Sequence, residues 1–276
     1  MSGLSSVPTA RLPAFFRFWR NDIIKTALRK GAFALIQEVT LKSKYLGSAE
    51  RILVYTPNRY SPLYSYPVLY VQDGADYLSL GRLATLLEQM AADKQAEDVI
   101  AVFLPVDPAE RGRRYHPGGS AHAAYKRFLA EEVASYVDRH YATTPLGGAR
   151  TLLGDSLGGV VSLFTALSYP HTFSRVACQS GAFDDKLCRM ADLSGRLDQL
   201  TVYLEVGDAE SAVKTAHGTL DLLSGNRMMG DVLQKKGVTL TLETFAGDHT
   251  WGSWQANLPR IIRYFFGHPL QCAHSS

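Results

Sequence analysis

The sequence predicts an α/β fold, a mostly parallel central sheet with helices on both faces. Short apolar runs of strand length alternate with longer stretches whose apolar residues recur at helical spacing. One strand-to-helix junction holds Gly154-Asp155-Ser156-Leu157-Gly158-Gly159, where small residues let a strand and a helix cross closely. The residues suited to chemistry follow predicted strands, and a sheet of this kind places its site beyond the carboxyl ends of its strands.

The elements follow in order. Residues 1–32 form an extension in which Phe15-Phe16-Arg17-Phe18-Trp19-Arg20, with Ile23, Ile24, Ala27 and Leu28, has the pattern of an amphipathic helix. A few apolar contacts suffice to dock such a helix on the domain, and a lid or a membrane-surface contact are the alternatives. Residues 33–267 form the α/β domain. Strands at 33–41 and 50–56 pair as a hairpin, and 67–72 reads as a buried strand. A helix at 83–92, a strand at 99–104 and a longer helix at 123–141 come next. The run 149–153 is a strand, and Val160 to Leu167 continues as a helix to Tyr169-Pro170. Further strands fall at 173–178, 201–206 and 238–244, with helices at 220–235 and 258–266. Residues 268–276 are a tail.

Bulk properties narrow the function. A chain of 276 residues, 46% hydrophobic and 20% charged, suits one large globular domain, and no linker divides it. A net charge of +3, spread along the chain, excludes a nucleic-acid partner. Arg111, Arg113 and Arg114 form one local cluster that favours an anionic substrate. No run of about 18 uncharged apolar residues calls for membrane insertion, and the N-terminus lacks a secretory pattern, so the expected location is the cytoplasm. Cys178, Cys188 and Cys272 are sparse and fit reduced structural thiols. His116 and His122 do not have metal-motif spacing, so neither a metal nor an organic cofactor is expected. Oligomeric state is not encoded in any visible pattern.

Gly-x-Ser-x-Gly at a strand-to-helix turn reads as a nucleophilic serine, with the Leu157 amide at the helix start aimed at a developing oxyanion. Ser156 needs a base, and His249 follows the strand at 238–244 near the C-terminus, after Ser156 in chain order. The imidazole in turn needs an acid, and both Glu210 and Asp208 follow the strand at 201–206. Asp248, beside the base, suits the loop better. A second oxyanion donor is expected after the strand at 67–72, where Asp73-Gly74-Ala75-Asp76 permits a tight turn and offers the Ala75 amide. Tyr60, Tyr64, Tyr66, Trp251 and Trp254 are candidates for substrate contact or for covering the core.

Asp73-Gly74 after an apolar strand, Arg111 to Pro117, Gly154 to Gly159, Val206-Gly207-x-x-Glu210 and Gly247-Asp248-His249-x-Trp251-x-x-Trp254 together resemble the putative esterase family of α/β-hydrolases, in its enterochelin esterase-like and esterase D-like branch. The resemblance spans about residues 33–267 and implies the α/β-hydrolase fold. It favours Glu210 over Asp208, because the family's acid lies three residues after the glycine ending its strand. It also implies that Ala75 supplies an oxyanion amide, and that Arg111 and Tyr115, with Trp251, line or support a substrate site. Thr250 and Gln255 stand where enterochelin-type members carry an acid and an arginine, so the resemblance does not extend to a catecholate siderophore substrate. The expectation is a serine esterase acting on a small-molecule ester through an acyl-enzyme. Acyl transfer to an alcohol, or a non-catalytic binding protein on the same fold, are the alternatives.

Overall fold

Val68–Val71 (β4), Ile100–Phe103 (β5) and Arg150–Asp155 (β6) are buried along their whole length, as strands covered on both faces must be. In the computed structural model, which describes residues 28–30, 35–215 and 218–268, they form the middle of a nine-stranded sheet. Leu28–Lys30 (β1), Leu35–Lys42 (β2) and Ala49–Thr56 (β3) add an antiparallel flank that joins β5 through β3. Arg175–Gln179 (β7), Thr201–Gly207 (β8) and Thr239–Phe245 (β11) extend the parallel side in the order β5-β4-β6-β7-β8-β11. A separate small hairpin pairs Val213–Thr215 (β9) with Gly218–Leu220 (β10).

Side-chain alternation splits the core into two layers. Val68, Tyr70, Leu152, Val176, Val202 and Leu204 face one layer. Leu69, Val71, Leu153, Ala177 and Tyr203 face the other. Gly74–Ser79 (α1), Leu83–Ala92 (α2) and Trp251–Phe266 (α9) cover the second face, through Tyr77, Leu83, Leu87, Leu258, Ile261 and Phe265. The first face is covered by Pro108–Tyr115 (α3), His122–Arg127 (α4), Ala134–His140 (α5), Leu157–Ser168 (α6), Asp185–Asp192 (α7) and Leu222–Lys235 (α8). A π-helical stretch, Phe128–Val133, joins α4 to α5 and buries Phe128, Leu129, Ala130 and Val133. The larger of these side chains, Phe128, Leu129 and Val133, each contribute about 1.5–3 kcal/mol by leaving water.

The expected alternation is present, with several differences. The helix expected at 15–28 lies outside the described residues, apart from Leu28, which begins β1. Arg111 to Tyr115, which the sequence pattern assigns to no element, lie on α3: Asp107 caps that helix by accepting from the Ala109 amide, with Pro108 at its first position. α9 starts at Trp251 and runs through Pro259. Tyr60 packs against Tyr66 at 5.3 Å, and Tyr66 bonds to Ala142 beside the amino end of β4, so these tyrosines lie at the sheet end away from Ser156. Cys178 and Cys188 are buried free thiols, and burial raises both, Cys188 to about 11.

β6 and α6 cross closely beside the serine. A Cβ on Gly154 would lie 2.3 Å from the Gly158 carbonyl. Gly154→Ala is expected to cost about 3 kcal/mol, the upper end for overpacking, and to displace Ser156. Urea denaturation alongside ester hydrolysis checks both effects.

Candidate active site

Ser156 sits between β6 and α6 with φ 51° and ψ −118°, a conformation that side chains other than glycine's rarely adopt. Three backbone bonds hold it there. Its N–H donates to the Gln179 carbonyl at 2.9 Å, and its carbonyl accepts from Ala182 at 3.1 Å and Val160 at 3.2 Å. Leu157 opens α6, so its amide has no acceptor within its own helix. Ala75 is the second residue of α1, and its amide is in the same position.

His249 lies on the loop between β11 and α9. Its Nε2 is 3.2 Å from Ser156 Oγ, and its Nδ1 is 2.7 Å from Glu210 Oε2. The Glu210 side chain is fully buried. Its other oxygen accepts from the Gly207 amide at 2.8 Å and from Ser180 Oγ at 2.6 Å, so both oxygens of this carboxylate are bonded, as a buried charge requires. Gly207 has to be glycine: a Cβ there would lie 2.4 Å from the Gly247 carbonyl oxygen and 2.8 Å from Glu210 Oε1. The acid loop is stitched to the histidine loop by Asp208 N–H to Phe245 O at 2.9 Å and Ala209 N–H to Gly247 O at 3.1 Å.

Of the two candidate acids, only Glu210 meets His249. The Asp208 carboxylate is exposed and accepts from the Gly247 amide at 3.1 Å. Asp248 accepts from Thr250 Oγ1 at 2.6 Å and Ser253 Oγ at 3.1 Å at the start of α9. Those bonds favour the charged form and hold its carboxyl below the usual carboxylate pKa, in keeping with a loop role.

Ser156 and His249 open onto a cleft of about 280 Å³. Val106, Pro108 and Trp254 line it on the apolar side, and Asp73, Asp76, Asp155 and Arg111 on the polar side. Arg111 donates through Nε to Asp73 Oδ1 and through Nη2 to Asp73 Oδ2, both at 2.8 Å. Burial raises the carboxyls of both Asp73 and Asp155, and the neighbouring Asp73 raises Asp155 further, to about 8, despite the opposing pull of Arg111.

Each arginine of the local cluster is paired with a carboxylate. Arg111 is taken by Asp73, Arg113 by Glu110 at 2.6 Å, and Arg114 by Glu50 at 2.8 Å. Tyr115 is fully buried, and its Oη accepts the Asp73 N–H at 3.1 Å, so it supports the loop from behind the cleft. Trp251 packs edge-on against Tyr77 at 4.9 Å and Trp254 at 5.3 Å, and it is Trp254 that lines the cleft and meets the His249 ring at 4.9 Å. His122 is buried, with Nδ1 3.1 Å from the Arg114 carbonyl, and burial lowers it to about 4. Among the described residues, no group of three His, Cys, Asp or Glu is placed to hold a metal. No described helix is long and apolar enough to cross a membrane.

Sequence reasoning missed Ser180. This buried residue, with φ 48°, donates to Glu210 and accepts from Trp254 Nε1 at 2.9 Å. Its one signal was its position directly after β7, at the same carboxyl edge as the other site residues. Asp155 was missed as well, although it adjoins Ser156.

Two outcomes are expected. Ser180→Ala removes a hydrogen bond to a buried carboxylate and leaves the Trp254 indole N–H unpaired, lowering kcat about tenfold, as steady-state kinetics would show. Asp155 keeps its proton in the folded protein up to about pH 8 but loses it near 3.8 when unfolded. The folded state then binds more protons between those limits, so stability is lost as pH rises through about 8. Asp155→Asn removes this contribution, and urea midpoints at pH 5 and pH 9 should show the variant gaining on the native protein at the higher pH.

Known proteins resemble this chain in sequence and in fold. The family model described as "Putative esterase" matches residues 43–265. The uncharacterized protein YjcH of Bacillus subtilis (strain 168) is 40% identical over 222 residues, covering 80% of this chain and 92% of the relative. The enterobactin esterase FES from Shigella flexneri, solved in the presence of enterobactin, superposes with a TM-score of 0.72 at 17% identity, over 83% of this chain and 58% of that one. A ferulic acid esterase gives a TM-score of 0.69 at 17% identity, over 85% of this chain and 98% of that one. The two structures share the α/β-hydrolase fold with this chain, and the extent of the family match is decisive: the chain belongs to the putative esterase family, a family of carboxylic ester hydrolases.

Proposed function

We propose that the chain is a serine esterase that hydrolyses short, uncharged carboxylic esters through an acyl-enzyme. The continuous path Ser156 Oγ, His249, Glu210, with separations of 3.2 Å and 2.7 Å, carries this reading. His249 accepts the Ser156 proton as Oγ attacks the carbonyl, then returns it to the leaving alcohol. Glu210 holds Nδ1 protonated, keeping Nε2 free to act as base, and stabilises the imidazolium that forms. The Leu157 and Ala75 amides receive the oxyanion. Water, activated by the same imidazole, then releases the acid. No step requires a metal or an organic cofactor.

The cleft supports the substrate class. At about 280 Å³ it sits at the small end for ligand sites. Arg111, the one arginine or lysine in its lining, is already paired with a carboxylate, so an anionic ester gains little there.

Hydrolysis of p-nitrophenyl acetate, butyrate and octanoate tests the proposal. The expected result is a kcat/KM about tenfold higher for the two short esters, falling about 10³-fold or more in Ser156→Ala. Equal turnover by native protein and folded Ser156→Ala would sink the serine mechanism, and a preference for octanoate would sink the short-chain assignment.

A further inference from the structure

Asp73 occupies the N-cap position of α1, yet its carboxylate makes no bond to that helix. Aspartate at an N-cap ordinarily accepts from the amide two or three residues on, and in turns it bonds readily to the amide two residues on. Here the residue two positions on is Ala75, whose amide is one of the two proposed oxyanion donors. An unrestrained Asp73 side chain would therefore compete with the substrate's oxyanion for the same N–H.

Three features hold the carboxylate elsewhere. Arg111 engages both oxygens with two bonds of 2.8 Å, a fork that leaves the carboxylate little freedom to swivel. Gly158 makes room: the site where its Cβ would stand is 2.7 Å from Asp73 Oδ2. Tyr115 accepts the Asp73 N–H at 3.1 Å and fixes the backbone at φ 49°. The guanidinium also reaches the Asp155 carbonyl at 3.4 Å and approaches Asp155 Oδ2 at 3.9 Å, which ties α3 to the strand that carries Ser156.

Building on the serine-esterase reading, we propose that Arg111 is a positioning residue that parks the Asp73 carboxylate against Gly158 and keeps it off the Ala75 amide, leaving that N–H open to the oxyanion. The arginine does not touch the substrate. Its removal frees a self-capping side chain, so its effect depends on Asp73 being present.

The test is a double-mutant cycle in the full chain with p-nitrophenyl acetate. Arg111→Gln should lower kcat about 10²-fold, the loss typical of one oxyanion donor, with KM changed by less than about threefold. Asp73→Gly suits the positive φ and has no side chain to swing inward. The pair Arg111→Gln with Asp73→Gly should therefore recover at least about tenfold over Arg111→Gln alone. Phenylboronic acid, which forms a tetrahedral adduct with the serine, should weaken and recover in parallel with kcat/KM. Arg113→Gln, on an exposed arginine of the same helix, serves as an unaffected control. A double variant as slow as Arg111→Gln, or slower, overturns the proposal, as does a raised KM at unchanged kcat, which would make Arg111 a substrate contact. If Arg111→Gln does not fold, Arg111→Lys takes its place, because a single ammonium cannot hold both oxygens, and rescue by Asp73→Gly is again required. Loss of Ser156 dependence in the native protein would remove the esterase reading and this inference together, whereas a Ser156-dependent enzyme without rescue would remove only the inference.

Discussion

Everything at the site hangs from the close crossing of β6 and α6. The strand must turn directly into the helix for the Ser156 hydroxyl to stand clear of the sheet, and the chain can do so only where Gly154 places no Cβ against the Gly158 backbone. The resulting backbone is strained, and neighbouring strands hold it: Gln179 and Ala182, on either side of Ser180, bond to Ser156. That tie has a second consequence. It places Ser180 where its hydroxyl reaches Glu210, so the segment that braces the serine also braces the acid.

Buried charge is handled in two ways around the cleft. Glu210 is enclosed, but the Ser180 hydroxyl, the Gly207 amide and the His249 ring surround its two oxygens, which makes an ionised carboxylate tolerable there. Asp73 and Asp155 share one guanidinium between them, and burial together with mutual repulsion disfavours ionising both. The first arrangement suits the charged role that the proposed mechanism gives Glu210. The second suits a clamp, since Arg111 links α3, the Asp73 turn and the serine strand through one planar group.

Much of this was legible in the chain. Continuous apolar runs located the central strands because strands covered on both faces leave little room for polar residues, and Gly154 to Gly159 marked the serine turn because few other residues fit that crossing. The chain order of Ser156, Glu210 and His249 followed from their positions after strands. The helical state of Arg111 to Tyr115 was hidden because α3 is polar on most sides and buries one residue, Tyr115, so it lacks an apolar period. Trp251 and Trp254, three residues apart on one helix, look equivalent in sequence, yet Trp254 meets the cleft while Trp251 packs on Tyr77.

The sequence by itself determined the layer architecture, the serine turn and the residue types able to perform acyl chemistry, because these depend on local periodicity and on backbone conformations few residues can adopt. Tertiary structure turned Glu210, which the family resemblance favoured and residue chemistry alone left level with Asp208, toward the histidine, and it alone decided which partners Arg111 and Arg114 meet. Asp208 and Glu210 both follow β8, and only the packing of that loop against Gly247 turns one to solvent and the other inward. Arg111, Arg113 and Arg114 read as one cationic cluster, but Asp73 and Glu50, the partners of Arg111 and Arg114, come from distant parts of the chain. Charge pairing across such distances is set by how the layers close, and no local pattern of residues records it.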